Sequence, residues 1–258
     1  LPELNAKRES GLPVDTGIAM KAFDIDFYTG SKEQLLTRIL PACQQPFSYI
    51  VTPNINHIVQ LEHDQRLTEA YATASYRICD SRVLLPILRL LGVKLEEAIP
   101  GSTLTADLMN IAAERHWTIT VVGCEANNVA LLRAKYPGIT FHHDYPPMGF
   151  IKDEMAVSRC IDFVVAHPAN LVVLALGCPT QEIIAARIFA TGQAKGLGLC
   201  VGGSLNFLAG SVKRAPEWVQ NLSLEWLHRI CAEPKRLLRR YAHDARRFIP
   251  ILIRHLRT

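Results

Sequence analysis

No stretch of the 258 residues approaches the roughly 18 consecutive apolar positions that a membrane-spanning helix needs. The opening segment, LPELNAKRESGLPVDTG, also lacks the charged-then-apolar pattern of an export signal, so neither a bitopic membrane protein nor an exported one is expected. The seven cysteines (Cys43, Cys79, Cys124, Cys160, Cys178, Cys200 and Cys231) are odd in number and scattered. With no CxxC pair among them, zinc clusters and redox dithiols are excluded and reduced core thiols are expected. There is no internal repeat and no G-x-G-x-x-G dinucleotide fingerprint, which argues against a nicotinamide or flavin oxidoreductase. Aromatic residues are only 7% of the chain and none is interleaved with a basic cluster in a nucleic-acid motif.

Hydrophobic residues make up 49% and charged residues 20%, enough to bury a sizeable core. The net charge of +4 is unevenly distributed: residues 229–258 carry about +7, leaving about −3 on everything before them. A polar leader over 1–20 is expected to be loosely ordered. AFDIDFY then alternates like a short strand, and Ser31 with Gln34 forms a capping box for a helix that Pro41 stops. FSYIVTP (47–53) reads as a strand followed by one helix over INHIVQLEHDQRLTEAY. The alternation recurs through SYRICD, TITVVG (118–123), ITFHHD, NLVVLALG (170–177) and GLCVG, each run separated from the next by helical spacing. Nearly continuous Val/Ile/Leu strands of this kind predict an α/β, doubly wound, mostly parallel sheet over 21–213. Beyond Pro216 the strands stop, and 214–258 reads as an Arg-rich helical appendage with breaks at Pro234 and Pro250.

Ligands of open parallel sheets bind beyond the carboxyl ends of the strands, which directs attention to polar residues that follow apolar runs. Thr52 and Asn54 follow the strand at 47–53. Asp80 and Ser81 follow Ile78 and Cys79, with Asp80 suited either to proton transfer or to capping the next helix. Gly123 ends a strand as a phosphate-binding turn would. Gly202 and Gly203 offer backbone N–H groups to a diphosphate, and Gln181, Glu182 and Asn206 can bond a ribose, base or sugar, ordinary turn chemistry being the alternative. Asp24 and Asp26 form a DxD, but in an alternating strand they belong on the solvated face. His142 and His143 point to opposite faces, so no metal site is assigned.

In the appendage, Leu238, Tyr241, Ala245, Phe248, Leu252 and Leu256 form an apolar stripe, with Arg229, Arg236, Arg240, His243, Arg247 and Arg254 forming a basic one. Such a helix can lie in a membrane interface, bind diphosphate, or simply pack with a solvated basic face. The residues expected to meet lipid are Arg240, Arg246, Arg247, Phe248 and Leu252.

TPNINHIVQLEHDQRLTEAY, CDSRVLLPILRLLG, IPGSTL, LGCPTQEIIAARI and VGGSLNFLAGSVKRAPEWVQNLSLEWLHRICAEPKRLLRRY together resemble the WecG/TagA/CpsF glycosyltransferases over about residues 20–242. The resemblance implies inverting transfer of a hexose from a UDP-sugar to a polyprenyl-diphosphate-linked saccharide at the inner face of the cell membrane, with no metal or other cofactor. By motif position it makes Asp80 the general base, Thr52 its hydroxyl partner and Asn54 the adjacent amide. Gln181, Glu182 and 202–206 fall in the nucleotide-binding half, and Arg229, Arg236 and Arg239 match the arginines that contact the donor diphosphate. It further implies an appendage that docks on the body; a displaced amphipathic helix leaves an apolar surface that a second subunit can cover, so a homo-oligomer is allowed, and the slightly acidic body argues against a nucleic-acid partner. Three positions depart from the family pattern: Ser81, Ala98 and Asn206. Ala98 removes a cation that would suit an acidic or N-acetylated sugar, which favours UDP-glucose over UDP-N-acetylmannosamine or its uronic acid. A non-catalytic lipid-binding scaffold is the rival reading from another class.

Overall fold

The computed structural model describes residues 20–212, 215–216, 219, 225–232 and 234–256, with the side chains of Arg229, Ala232 and Arg236 outside the description. The expected leader therefore lies outside the described residues. A six-stranded, wholly parallel sheet forms the centre, in the order β4-β3-β8-β7-β5-β6. Its strands are β3 (Ser48–Val51), β4 (Tyr76–Arg77), β5 (Thr118–Gly123), β6 (Thr140–Asp144), β7 (Leu171–Ala175) and β8 (Leu197–Cys200). The α/β expectation holds, and the physical reason is visible in β7: Leu171 and Val173 enter the core on one face while Val172 and Leu174 enter the core on the other. A strand buried on both sides needs apolar residues at every position.

Helices cover both faces. On one lie α2 (Ile55–Leu61), α3 (Gln65–Thr73), α4 (Leu84–Leu90), α7 (Glu154–Ala166) and α8 (Thr180–Thr191); on the other lie α1 (Lys32–Ile39), α5 (Gly101–Glu114), α6 (Ala126–Lys135) and α9 (Ser204–Ala209). The Ser31/Gln34 capping box forms as expected.

Three local expectations are corrected. AFDIDFY is an antiparallel hairpin, β1 (Met20–Ala22) with β2 (Ile25–Phe27), turning at Phe23 and Asp24, both at positive φ. Asp26 is exposed on β2, while Asp24 sits in the turn beside Lys21 at 3.1 Å, so the DxD is solvated. The single helix expected over 55–71 is two, because Asp64 N-caps α3 by accepting from Arg66 N. At the C-terminus, α10 (Glu225–Ala232) is followed by α11 (Pro234–His255), which begins at Pro234 and runs through Pro250 unbroken. An internal proline costs about 3 kcal/mol. Phe248 and Ile251, on either side of it, are buried in the core, and at about 1.5–3 kcal/mol each they offset that cost.

The buried face of α11 is also rotated from the expected stripe. Leu237, Asp244, Phe248 and Ile251 face inward, whereas Leu238 and Leu256 are exposed together with Ile249 and Ile253. The helix packs along α2, and its far half rests on the hairpin, where Phe23 meets the rings of Phe248 and His255 at 5.5 and 4.8 Å.

Candidate active site

A cleft of about 670 Å³ opens at the carboxyl ends of β4, β3, β8 and β7, with α10 and α11 forming its outer wall. Its body side is built by residues that leave those strands. Thr52 is buried and its hydroxyl donates to Cys200 O at 2.8 Å, tying the end of β3 to the end of β8 and leaving its oxygen to the cleft as an acceptor. Asn54 is extended and caps α2: its Oδ1 accepts from Asn56 N and His57 N, while His57 Nδ1 accepts from Asn54 N at 3.3 Å. With Nδ1 used as an acceptor, the His57 proton sits on Nε2, 3.7 Å from Glu182 Oε1.

Asp80 follows β4, its N–H donating to Pro53 O at 3.2 Å. Ser81, rather than Asp80, bonds the start of α4, through Val83 N and Leu84 N. Asp80 Oδ1 instead accepts from Gly101 N at 2.6 Å, the first residue of the 14-residue α5, whose N-terminus favours a negative group. Thr52, Asn54 and Asp80 thus meet on one wall, as expected from their strand-end positions.

Gly101 has little spare room. A Cβ there would lie 3.3 Å from Thr52 Cγ2 and Val201 Cγ1 and 3.4 Å from Asp80 Oδ1. Gly101→Ala is expected to push Asp80 and Thr52 by a few tenths of an ångström and lower kcat by about tenfold. Thermal unfolding should move little, because the better helix propensity of alanine offsets the crowding. Parallel assays of turnover and melting temperature check this.

The β8 turn adjoins this wall, tied to it by the Thr52 bond to Cys200 O. Gly202 sits at φ +53, a conformation that glycine favours, and Gln181 Oε1 accepts from its N–H at 2.9 Å. Gln181 Nε2 donates to Glu182 Oε1 at 2.8 Å, so the Gln181 amide shapes the turn from beneath. Gly202, Gly203 and Gln181 line the cleft; Glu182 does not, being fully buried under Gln181. Asn206 and Gly123 are also off the cleft. Asn206 Oδ1 is occupied by Asn128 Nδ2 at 3.0 Å, pinning α9 to α6. At Gly123 a Cβ would come within 2.7 Å of Ala175 O, so this glycine permits close strand packing. Strand order sets Gly123 apart, since β7 stands between β5 and β8, whereas Asn206, on α9 just after the Gly203 turn, is set apart by its bond to Asn128 of α6.

On the outer wall, α11 presents Arg240, Tyr241 and Asp244 to the cleft, the Arg240 guanidinium lying 5.2 Å from the Tyr241 ring centroid. Arg239 is exposed and away from the cleft, and the side chains of Arg229 and Arg236 fall outside the description. Arg246 and Arg247 border a second recess of about 570 Å³ with Arg254, which pairs with Glu62 at 2.6 Å. Phe248 and Leu252, expected to meet lipid, pack inward on the core instead.

Among the described residues, His57 and Cys178 of the cleft lining and the buried Glu182 bring metal-type donor atoms within 4.8 Å of one another. Burial and then the Glu182 charge push the Cys178 thiol well up, so the protonated sulfur serves as a hydrogen-bond donor towards that carboxylate. His142 and His143 diverge as expected: His143 Nε2 contacts Gly123 O at 3.1 Å, while His142 lies against His167. Asn56, His57, Cys178 and Asp244 were not singled out by the sequence; the N-x-N-H run after the strand at 47–53 was the available signal for the first two.

The profile of the family described as "Glycosyl transferase WecG/TagA/CpsF family" matches residues 20–258. Two relatives share the name N-acetylglucosaminyldiphosphoundecaprenol N-acetyl-beta-D-mannosaminyltransferase. The protein of Bacillus spizizenii is 26% identical over 224 residues, covering 83% of this chain and 82% of the relative. That of Staphylococcus aureus is 29% identical over 196 residues, covering 73% and 74%.

Proposed function

Because this chain belongs to the WecG/TagA/CpsF glycosyltransferase family, we propose that it moves N-acetylmannosamine from UDP to a polyprenyl-diphosphate-linked N-acetylglucosamine with inversion, at the membrane surface. The observation that carries the reading is one cleft that gathers Asp80, Thr52, Asn54, the Gly202 turn and Arg240. The sequence favoured glucose as donor; the names of the relatives weigh for N-acetylmannosamine instead.

In this reading the acceptor hydroxyl oxygen bonds to the anomeric carbon as the bond from that carbon to UDP breaks, and the hydroxyl proton passes to Asp80. The transition state carries positive charge on the sugar ring and growing negative charge on UDP. Arg240 and the Gly203 backbone N–H are suited to that second charge, the Gly202 N–H being held by Gln181 Oε1, since preorganised donors act where charge develops. Thr52, its proton committed to Cys200 O, can accept a hydrogen bond and help orient the acceptor hydroxyl.

Membrane contact follows from the acceptor and from α11. None of the described helices is long and apolar enough to cross a membrane. The exposed Ile249, Ile253, Leu238 and Leu256, flanked by Arg239, Arg246 and Arg254, suit an interfacial helix that attracts anionic lipid.

UDP release from a panel of UDP-N-acetylmannosamine, UDP-glucose and the uronic acid donor, with a short-chain lipid-diphosphate N-acetylglucosamine acceptor and EDTA present, tests the reading. Acceptor-dependent release with UDP-N-acetylmannosamine, unchanged within about twofold by EDTA, is expected. Turnover with UDP-glucose alone would restore the glucosyl reading, and loss in EDTA restored by a divalent ion would overturn the metal-independent mechanism.

A further inference from the structure

Asp244 enters the cleft from α11, is only 4% exposed, and has one hydrogen-bonding partner among the described residues. Both carboxylate oxygens accept from the same donor, Asn56 Nδ2, at 3.1 and 3.2 Å. Asn56 is itself fixed, its Oδ1 accepting from Gln60 Nε2 at 2.8 Å. His243 Nδ1 lies 3.6 Å away on the exposed side, beyond hydrogen-bond distance. A carboxylate offers about four acceptor positions, and a buried one is stable only when donors fill them. A single amide leaves most of that capacity directed at the cleft that Asp244 lines.

We propose that Asp244 is a second functional carboxylate of this cleft, accepting hydrogen bonds from the hydroxyl or N-acetyl N–H groups of a pyranose. This inference rests on the glycosyltransferase reading and adds to it a sugar-recognising residue supplied by the appendage. Sugar is the chemistry that fits. A diphosphate would be repelled by the carboxylate and belongs with Arg240 and the Gly202 turn, whereas neutral hydroxyl and amide donors match what Asp244 lacks. The geometry also makes recognition conditional, because Asp244 reaches the cleft only while α11 is seated against α2. The pyranose is either the donor sugar or the acceptor saccharide, and the kinetics distinguish them.

The test compares the full chain with its Asp244→Asn variant. The amide keeps the shape and an oxygen for Asn56 but loses acceptor capacity towards the cleft. The expected result is a tenfold or larger fall in kcat/KM, expressed in KM for one sugar-bearing substrate, with UDP affinity by calorimetry unchanged within twofold. Amide exchange along α11 should also be unchanged. A raised KM for the UDP-sugar assigns Asp244 to the donor; a raised KM for the lipid-linked saccharide assigns it to the acceptor. Unaltered kinetics would overturn the proposal. So would weaker UDP binding together with faster exchange in α11, which would make Asp244 a docking residue only. An Asn56→Ala variant, which retains the carboxylate, should raise the same KM by a smaller factor; a rise in the other KM contradicts the assignment. Should the wild-type chain turn over no donor, the transferase reading fails on its own. The affinity of UDP-sugar relative to UDP, and of the short-chain acceptor, still differs between wild type and Asp244→Asn if the proposal holds, and does not if it fails.

Discussion

Asp80→Asn is expected to lower kcat by about 10²–10⁴-fold, the range for removal of a general base, while UDP affinity stays within about twofold. The substitution keeps the size and shape of the side chain. The asparagine oxygen can still accept from Gly101 N, where Asp80 Oδ1 accepts at 2.6 Å, and the backbone bond to Pro53 O is untouched. What disappears is the ability to take a proton. Because the proton transfer rests on Asp80 and the proposed diphosphate contacts rest on Arg240 and the Gly202 and Gly203 turn, loss of the base should lower turnover and leave nucleotide binding largely intact. Equal losses of turnover and UDP affinity would make Asp80 a donor-binding or structural residue and remove the proposed base.

The second large effect is expected from a residue that touches chemistry only through packing. Phe248 is 4% exposed, lines the inner end of the cleft and meets Phe23 of the hairpin. Truncating a buried phenylalanine costs about 3–5 kcal/mol. If that loss falls on the seating of α11 rather than on the whole fold, the docking equilibrium constant drops by about two to four orders of magnitude. Phe248→Ala should therefore lower transfer at least about tenfold even with a detergent-soluble acceptor, which needs no membrane anchoring. Amide exchange should quicken in α11 and remain slow in β5 and β7. Activity retained with the soluble acceptor would mean that α11 anchors the protein without completing the site.

The sheet was readable because strands buried on two faces leave uninterrupted apolar runs: TITVVG is β5 to the residue, and NLVVLALG contains β7. Boundaries set by polar caps were harder. Asp64, within LEHDQ, divides α2 from α3 by a single side-chain bond to Arg66 N, and the hairpin turns at Phe23 and Asp24 without a glycine or asparagine to mark it. The face of α11 was ambiguous because apolar residues occur on both sides, in pairs such as Leu237/Leu238 and Phe248/Ile249. Only docking selects which member of each pair is buried.

Strand-end logic brought Thr52, Asn54, Asp80, Gly202 and Gly203 to the cleft lining, because each depends on its own strand. It could not exclude Asn206 and Gly123, since Asn206 is drawn to Asn128 of α6 and Gly123 packs against Ala175 of β7, contacts between distant segments. Nor could it find the contact between Asn56 and Asp244, which joins positions 188 apart in the chain.

The most direct measurement is the crystal structure of the full chain with UDP. The nucleotide is expected in the cleft between the Gly202 and Gly203 turn and α11, with its diphosphate within hydrogen-bond distance of the Arg240 guanidinium and its outer phosphate on the side facing Asp80. UDP bound instead outside the cleft, near Gly123 at the end of β5, or a cleft left empty under saturating UDP, would contradict the assignment of this cleft as the site of transfer.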